Sequence, residues 1–153
     1  MGYALRQFKK EDADGVKELI LSILTKEYPF DRAAYSDSDL DQVNAVYGGK
    51  REGFFVIEED SEIVGTVGVK EETAQGALLR RLFVDVKHRK RGYGTELVKK
   101  AIQFCRENDY RRIYFRCTDR MVDAMKLCLK EGFKETECLE LGGFRIHKLE
   151  LKV

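Results

Sequence analysis

The stretch VDVKHRKRGYGT runs from Val84 to Thr95. Across it, the spacing of apolar residues changes from that of a strand to that of a helix. The residues that lead into it, 77–86, form an extended apolar run that is typical of a strand. Beyond it, apolar residues recur at the spacing of one helical face: Leu97, Val98, Ala101, Ile102 and Cys105. The stretch is therefore predicted to be a basic, glycine-containing loop that joins a strand to a helix.

This loop has the features of an anion site at the start of a helix. The first amides of a helix have no partner within it, and the helix dipole adds partial positive charge at that end. Gly92 and Gly94 keep side chains away from those amides, while Arg89, Lys90 and Arg91 add positive charge. The loop therefore predicts that a diphosphate caps the helix. The alternative is a turn in which the glycines ease the bend and the basic side chains are solvated.

Two better-known phosphate motifs do not fit the loop. A Walker loop is excluded because no Gly-Lys-Ser/Thr sequence follows the glycines. The dinucleotide-binding fingerprint requires a third glycine at the position that Leu97 occupies. The glycines alone therefore leave the function open.

Length and composition favour one globular domain that spans residues 1–153. The chain has 153 residues, of which 43% are hydrophobic, and this is enough for a core without disulfides or metals. Lys and Arg total 28 against 27 for Asp and Glu, which argues against a protein built to coat nucleic acid. The run Lys87–Arg91 keeps a local nucleic-acid patch as a less favoured alternative.

The cysteines and histidines predict no metal site, because the cysteines form no C-x-x-C pair and the histidines are far apart in sequence. These residues are Cys105, Cys117, Cys128, Cys138, His88 and His147. We expect the cysteines to be small buried side chains. No signal peptide or membrane-spanning run is recognised, which predicts a cytoplasmic location, reduced thiols and no membrane partner.

The predicted order of elements along the chain is βααβββαβαββ, a mixed α+β pattern without repeats or linkers. The first helix is predicted to end at Pro29, and Ser36 or Ser38 is expected to cap a second helix through about Tyr47. The strand at 111–118 precedes the last helix and a closing hairpin. The apolar stripe of the first helix consists of Val16, Leu19, Ile20, Ile23 and Leu24. The stripe of the last helix consists of Met121, Ala124, Met125, Cys128 and Leu129.

Two motifs resemble those of the GNAT superfamily of N-acetyltransferases. Arg89-x-x-Gly92-x-Gly94, which follows a strand with the sequence LFVDV, is similar to the acetyl-CoA motif R/Q-x-x-G-x-G/A of that family. Residues 124–133, AMKLCLKEGF, resemble its A-x-x-x-Y-x-x-x-G-F element, and the element order agrees along nearly the whole chain. The resemblance implies a mostly antiparallel, twisted central sheet. It also implies a splay between the strands at 77–86 and 111–118, which admits the cofactor.

Carried over by position, the resemblance implies that acetyl-CoA is the co-substrate and that no metal takes part. Leu82, Phe83 and Val84 are implied to run beside its pantetheine arm, with the amide of Val84 directed at the thioester oxygen. The diphosphate is implied to lie against the backbone of Arg89, Lys90, Arg91, Gly92, Tyr93, Gly94 and Thr95. In the family an amine attacks the thioester directly. That step needs a neutral amine, a donor for the oxyanion and a proton for the departing thiolate.

The chain departs from the family pattern at two catalytic positions. Cys128 stands where the family often has a tyrosine that protonates the thiolate, so it is a candidate acid. Plain packing on the helix is the alternative, with Tyr93, Tyr114 or water as substitute donors. The strand before the loop carries Arg80 and Arg81 in place of the carboxylate base of many members, so no base is assigned. If one of these arginines faces the acceptor, an acceptor with a carboxylate is favoured, since strand neighbours point to opposite sides.

The leading prediction is an N-acetyltransferase that moves an acetyl group from acetyl-CoA to a primary amine of an amino acid, a peptide or protein, or a small molecule. The alternative that keeps the cofactor site is a non-catalytic acyl-CoA-sensing module. The acceptor stays open, because the segment Tyr28 to Tyr47, which is expected to shape its pocket, matches no recognised pattern. A monomer and a homodimer both fit the sequence.

Overall fold

The computed structural model describes residues 2–27 and 38–153, and strands from both ends of the chain join one sheet. The strands are β1 (Tyr3–Gln7), β2 (Gly53–Glu59), β3 (Glu62–Glu71), β4 (Gly76–Val84), β5 (Arg112–Thr118), β6 (Lys134–Leu141) and β7 (Phe144–Lys152). Their order in the sheet is β1-β2-β3-β4-β5-β7-β6. All neighbouring pairs are antiparallel except β4 and β5, which confirms the predicted mostly antiparallel sheet.

The described α-helices complete the predicted order βααβββαβαββ. They are α1 (Ala13–Lys26), α2 (Val43–Val46), α3 (Tyr93–Glu107) and α4 (Val122–Lys130). In the described parts of the chain, none of them has both the length and the apolar composition that crossing a membrane requires.

The second predicted helix is much shorter than its sequence pattern indicated. Ser36 and Pro29, which the prediction used as a cap and a stop, lie outside the described residues. The chain forms a 3-10 turn at Ser38–Asp41 and then the single turn α2. Leu40, Val43 and Tyr47 of this segment are buried at the spacing of one helical face, although only one turn of it is α-helical.

Helices cover both faces of the sheet, and two glycines of β3 show where they sit. A Cβ on Gly65 would lie 3.1 Å from Leu97 of α3, whereas a Cβ on Gly68 would lie 2.8 Å from the ring of Tyr47. Residues three apart on a strand point to opposite faces, so α3 covers one face and the segment after α2 covers the other.

The predicted splay lies between β4 and β5. The two strands pair at only four positions, from Gly76 opposite Arg112 to Leu79 opposite Phe115. β4 then continues to Val84 and β5 continues to Thr118 without further pairing. A gap therefore opens in the middle of the sheet, and it confirms the predicted splay.

A bulge in β4 turns Arg81 away from the regular alternation of the strand. β4 has two residues where β3 has one, between the pairs Gly68–Arg80 and Thr66–Phe83. Arg81 has a φ of +54°, in the left-handed region that non-glycine residues seldom adopt. Its buried guanidinium donates to both oxygens of Asp39, at 3.0 Å from Nε and 2.5 Å from Nη2.

The carboxylate of Asp39 joins the bulge in β4 to Tyr47, the residue that follows α2. Tyr47 donates its hydroxyl to Asp39 at 2.7 Å. Burial opposes ionisation of Asp39, but the hydrogen bonds from Arg81 and Tyr47 outweigh it and lower the pKa of Asp39. The buried network therefore holds Arg81 as a paired cation rather than as a free one.

Candidate functional site

A cavity of about 420 Å³ lies where the end of β4, the following loop and α4 meet; we call it the loop cavity. Nine of the ten residues that the sequence assigned to the cofactor line it, and the exception is Arg91. The lining residues are Leu82, Phe83, Val84, Arg89, Lys90, Gly92, Tyr93, Gly94, Thr95, Met121, Asp123, Ala124, Lys126, Leu127 and Lys130.

Gly92 precedes the first turn of α3 in a conformation that leaves the start of the helix open. Its φ is +84°, and no heavy atom lies within 4 Å of the place that a Cβ would take. The first helical hydrogen bond runs from the backbone amide of Glu96 to the carbonyl of Gly92, at 3.0 Å. The amides of Tyr93, Gly94 and Thr95 precede it and have no acceptor within the helix. Within the described residues no side chain caps the helix at Gly92. These three amides are thus free to bind an anion.

Gly94 allows α3 to approach α4 closely. A Cβ at this position would lie only 2.5 Å from Cδ1 of Leu127. Because Leu127 also lines the loop cavity, this contact sets the distance between the loop and α4. The second glycine of the motif therefore serves helix packing, and the first serves the open conformation.

The guanidinium of Arg89 binds the protein itself. Nε donates to the carbonyl of Val84 at 2.9 Å, and the two terminal nitrogens donate to the carboxylate of Glu27 at 2.6 and 2.9 Å. This two-pronged ion pair joins the end of α1, the end of β4 and the loop. Arg89 was predicted to add positive charge for the anion, whereas its geometry is that of a positioning residue.

Glu59, at the end of β2, holds the other side of the loop. Arg91 donates to it at 3.0 Å, Tyr93 donates its hydroxyl to it, and His88 Nε2 lies 3.1 Å from its carboxylate. The hydrogen bond from Tyr93 lowers the pKa of Glu59 and raises the pKa of Tyr93. The side chain of Arg91 is therefore directed at Glu59, which explains why it does not line the loop cavity.

The amide of Val84 points into the gap between β4 and β5. Asp85 donates its own amide to Val64 of β3 at 2.8 Å. Successive amides of a strand point in opposite directions, so the amide of Val84 points away from β3. The carbonyl of Val84, which accepts from Arg89, lies on that same side. The structure thus leaves a backbone donor at the mouth of the splay.

Three lysines supply the positive charge that the two arginines do not. Lys126 and Lys130 lie one helical turn apart on α4 and line the loop cavity, as does Lys90. No ion pair involves these three side chains within the described residues. Lys126 and Lys130 were not among the predicted site residues, although their spacing of four residues on a helix places them on one face.

A second cavity, of about 290 Å³, lies in the gap between β4 and β5; we call it the gap cavity. It shares Leu82, Phe83, Met121 and Ala124 with the loop cavity, so the two are neighbours at the splay. Its other lining residues are Leu78, Leu79, Arg80, Arg81, Phe115, Arg116, Cys117 and Ile146. Arg80 and Arg81 therefore line the same cavity, whereas the alternation of a regular strand predicted that only one of them would face the acceptor.

A sequence profile of the acetyltransferase (GNAT) family matches residues 17–133, which is well over half of the chain. The chain belongs to the GNAT acetyltransferase family. Human N-acetyltransferase 8 is 31% identical over 105 residues, which cover 65% of this chain and 46% of that protein. An uncharacterized N-acetyltransferase of Methanocaldococcus jannaschii is 29% identical over 155 residues, 95% of this chain and 66% of that protein. The chain spans less than half the length of the mammalian relatives that it matches.

Solved structures of GNAT proteins agree with the fold along nearly the whole chain. A GNAT-family acetyltransferase of Staphylococcus aureus has a TM-score of 0.84 at 24% identity, covering 99% of this chain and 100% of that one. A putative acetyltransferase of Salmonella typhimurium, solved with its cofactor acetyl-CoA, has a TM-score of 0.79 at 16% identity, covering 99% and 94%. At these identities the likeness establishes the GNAT fold.

Cys128, at the GNAT tyrosine position, has the surroundings of a packing residue. Its exposure is 0%, and it does not line the loop cavity. Burial raises the pKa of the Cys128 thiol, so the thiol stays protonated. The predicted stripe of α4 also needs correction, because Leu129 is 44% exposed while Leu127 faces the loop cavity. The helix is rotated relative to the predicted stripe, and the geometry favours packing over acid catalysis for Cys128.

Potential metal ligands meet at one place that the sequence spacing did not indicate. Atoms of Glu135, Cys138 and His147 lie within 4.8 Å of one another, with Glu135 Oε1 3.1 Å from His147 Nδ1. Cys138 and His147 are direct partners in the β6–β7 register, a proximity that their separation in sequence conceals. None of the three lines either cavity. The absence of a metal from the function stays a prediction.

Proposed function

We propose that this GNAT protein transfers an acetyl group from acetyl-CoA to a primary amine. One observation carries the proposal: the free amides of Tyr93, Gly94 and Thr95 open onto a cavity that continues past Val84 to the gap between β4 and β5. An anion at the helix start and an apolar path toward the sheet fit the diphosphate and the pantetheine arm of acetyl-CoA. Family membership supports the same assignment.

Each part of the loop cavity has a task in this proposal. The amides of residues 93–95 donate to the diphosphate, and Lys126 and Lys130 add positive charge from α4. Leu82 and Phe83 form the apolar part of the cavity wall, against which the pantetheine arm lies. Arg89 holds Val84 and the loop in place through its bonds to Glu27 and the Val84 carbonyl. The side chains of Arg89 and Arg91 therefore do not bind the diphosphate in this proposal. Only the backbone of these two residues keeps the role that the sequence predicted.

The transfer step uses the gap between the strands. The amine nitrogen forms a bond to the acetyl carbon and loses one proton, while the carbon–sulfur bond breaks and the departing thiolate receives one. The amide of Val84 donates to the thioester oxygen, and loss of such a donor typically costs about 3–4 kcal/mol of barrier. We assign both proton transfers to water, because Tyr93 donates its hydroxyl to Glu59, Tyr114 lines neither cavity and Cys128 is buried.

Two measurements test the proposal. Calorimetry with CoA should give saturable binding, and acetyl-CoA with a panel of primary amines should release CoA and yield the acetylated amine by mass spectrometry. Cys138 is the one exposed cysteine, so it would react with the thiol reagent that detects CoA. CoA release is therefore measured with a Cys138→Ser protein, which removes this background signal. Binding without any product would favour the acyl-CoA-sensing module, and absence of CoA binding at millimolar concentration would reject both.

The nucleic-acid alternative loses support at the basic run. Arg89, Arg91 and His88 are directed at Glu27 and Glu59, so most of the run is engaged in holding the loop. Binding to a phosphate backbone weakens steeply with salt. A titration with duplex DNA at two salt concentrations should give no salt-dependent affinity.

A further inference from the structure

We infer that the gap cavity binds the carboxylate of an amino-acid-like acceptor and that Arg80 recognises it. This inference rests on the proposed acetyl transfer and adds the chemical class of the amine. It follows from where Arg80 lies, from the charges around it and from the apolar lining of the remaining cavity.

Arg80 lies on the side of the sheet opposite α3, beside the splay. It pairs directly with Gly68, and directly paired residues place their side chains on the same face. That face is the one where Tyr47 lies over Gly68. Arg80 comes one position after the last β4 residue that pairs with β5, and three before Phe83, where the two cavities meet. A carboxylate held by Arg80 would therefore lie within a few residue lengths of the transfer point.

Among the described residues, the acids around the gap cavity are bonded to side chains other than Arg80. Arg81 is bonded to Asp39, and Arg116 donates to Glu72 at 2.7 Å. Arg80 lies close enough to Asp39 for an electrostatic interaction, but Arg81 and Tyr47 take up that carboxylate. Within the described residues no hydrogen bond or ion pair is made by the Arg80 side chain. In the part of the chain that the structure describes, Arg80 and Arg81 thus have one carboxylate, Asp39, between them, and one positive charge is in excess.

A partly buried arginine with excess charge favours an anion as its ligand. The planar guanidinium matches a carboxylate with two parallel hydrogen bonds, which fixes the orientation of the ligand as well as its charge. The amine of an amino acid is one carbon away from its carboxylate, so holding the carboxylate also positions the nucleophile. Apart from Arg80 and the two paired arginines, Arg81 and Arg116, the cavity is lined mainly by apolar side chains, among them Phe115, Met121 and Ile146. These surroundings fit an apolar amino acid.

The test compares matched acceptors in three proteins. The acceptors are leucine and phenylalanine, their carboxamides, and γ-aminobutyrate, in which the amine and the carboxylate are farther apart. The proteins are the wild type, Arg80→Met and the control Arg112→Met. Arg112 is exposed on β5 at the paired end of the strand, and it donates to Glu150 at 2.7 Å. The readouts are kcat/KM by CoA release, the Kd of CoA and the thermal midpoint.

Arg80→Met should lower kcat/KM for the amino acids by about 10- to 100-fold, the loss expected for hydrogen bonds to a charged group. It should leave the carboxamides and the CoA affinity unchanged, and Arg112→Met should change neither. Comparing each acceptor between proteins cancels the different basicity of the amines. If Arg80→Met does not fold, Arg80→Lys is used instead. It should lower kcat/KM for the amino acids selectively but by a smaller factor, because a lysine keeps the charge and lacks the two parallel donors of a guanidinium.

Equal losses of kcat/KM for amino acids and carboxamides in Arg80→Met would overturn the inference. An unchanged kcat/KM for the amino acids in that variant would overturn it as well. A preference for γ-aminobutyrate would support the carboxylate and reject the one-carbon spacing. These outcomes leave the proposed acetyl transfer standing, because they require CoA release. Failure to release CoA with any amine would instead reject the proposed function, and the inference with it.

Discussion

The loop cavity has two walls that are built in different ways. On the side of β4 and the loop, the wall is largely backbone: the amides of residues 93–95, the amide of Val84 and the open position at Gly92. On the side of α4 the wall consists of side chains, among them Leu127 and the pair Lys126 and Lys130. Backbone donors are fixed by the fold of the loop, whereas side chains on a helix surface remain adjustable. We therefore expect changes to the loop wall to cost far more than changes to the α4 wall.

The largest effect is expected for Gly92→Val. A β-branched residue is strained at a φ of +84°, and its side chain would enter the space in front of the free amides. We expect the affinity for CoA to fall by about 100-fold, corresponding to the loss of two hydrogen bonds to a charged ligand. Calorimetry with CoA measures the change.

Gly143→Val is the matched control for backbone strain. Gly143 has a φ of +87° and also has no heavy atom within 4 Å of a Cβ, but it lies in the turn between β6 and β7. Both substitutions should destabilise the protein by a similar amount, about 1–2 kcal/mol. Only Gly92→Val should weaken CoA binding, and an equal loss in both variants would show that strain alone is responsible.

The next effect separates the two arginines of the loop. Arg89→Met removes the bonds to Glu27 and to the Val84 carbonyl, so it should reduce unfolding free energy by about 2 kcal/mol and CoA affinity by about tenfold. Arg91→Met removes an ion pair from a side chain that is half exposed, and should change stability much less than Arg89→Met, because solvent screens exposed ion pairs. Denaturant titration and calorimetry measure both quantities. Equal effects of the two substitutions would contradict the positioning role of Arg89.

A smaller effect is expected on the α4 wall. Lys126→Met and Lys130→Met each remove one exposed charge from the loop cavity, which should weaken CoA binding by about two- to fivefold at low salt. The difference from the wild type should shrink as salt is added, because exposed charges are screened. Lys99→Met, on the exposed face of α3 outside the cavity, is the control. Effects as large as that of Gly92→Val would mean that the side-chain wall dominates binding.

The sequence predicted those features that depend on local pattern. The stripe of α1 is buried in full, and nine of the ten predicted cofactor residues line one cavity, because glycine positions and the strand-to-helix change fix the backbone there. It did not predict the bulge at Arg81, since the extra residue becomes visible only against the register of β3. The ion pair between Arg89 and Glu27 was missed for a similar reason, because 62 residues separate the partners. Contacts between distant segments require the fold.

The smallest effect on the reaction is expected at Cys128, although this residue lies in the second sequence motif. Both Cys128→Ala and Cys128→Ser should leave kcat and its pH dependence unchanged, because the thiol is buried outside the loop cavity and burial keeps it protonated. Stability should separate the two variants: the serine hydroxyl, buried among apolar side chains, should cost about 1–3 kcal/mol relative to the thiol. Denaturant titrations and pH–rate profiles measure the two quantities. A selective loss of kcat in Cys128→Ala that Cys128→Ser restores would instead return the thiol to the chemistry and give the α4 wall a catalytic side chain.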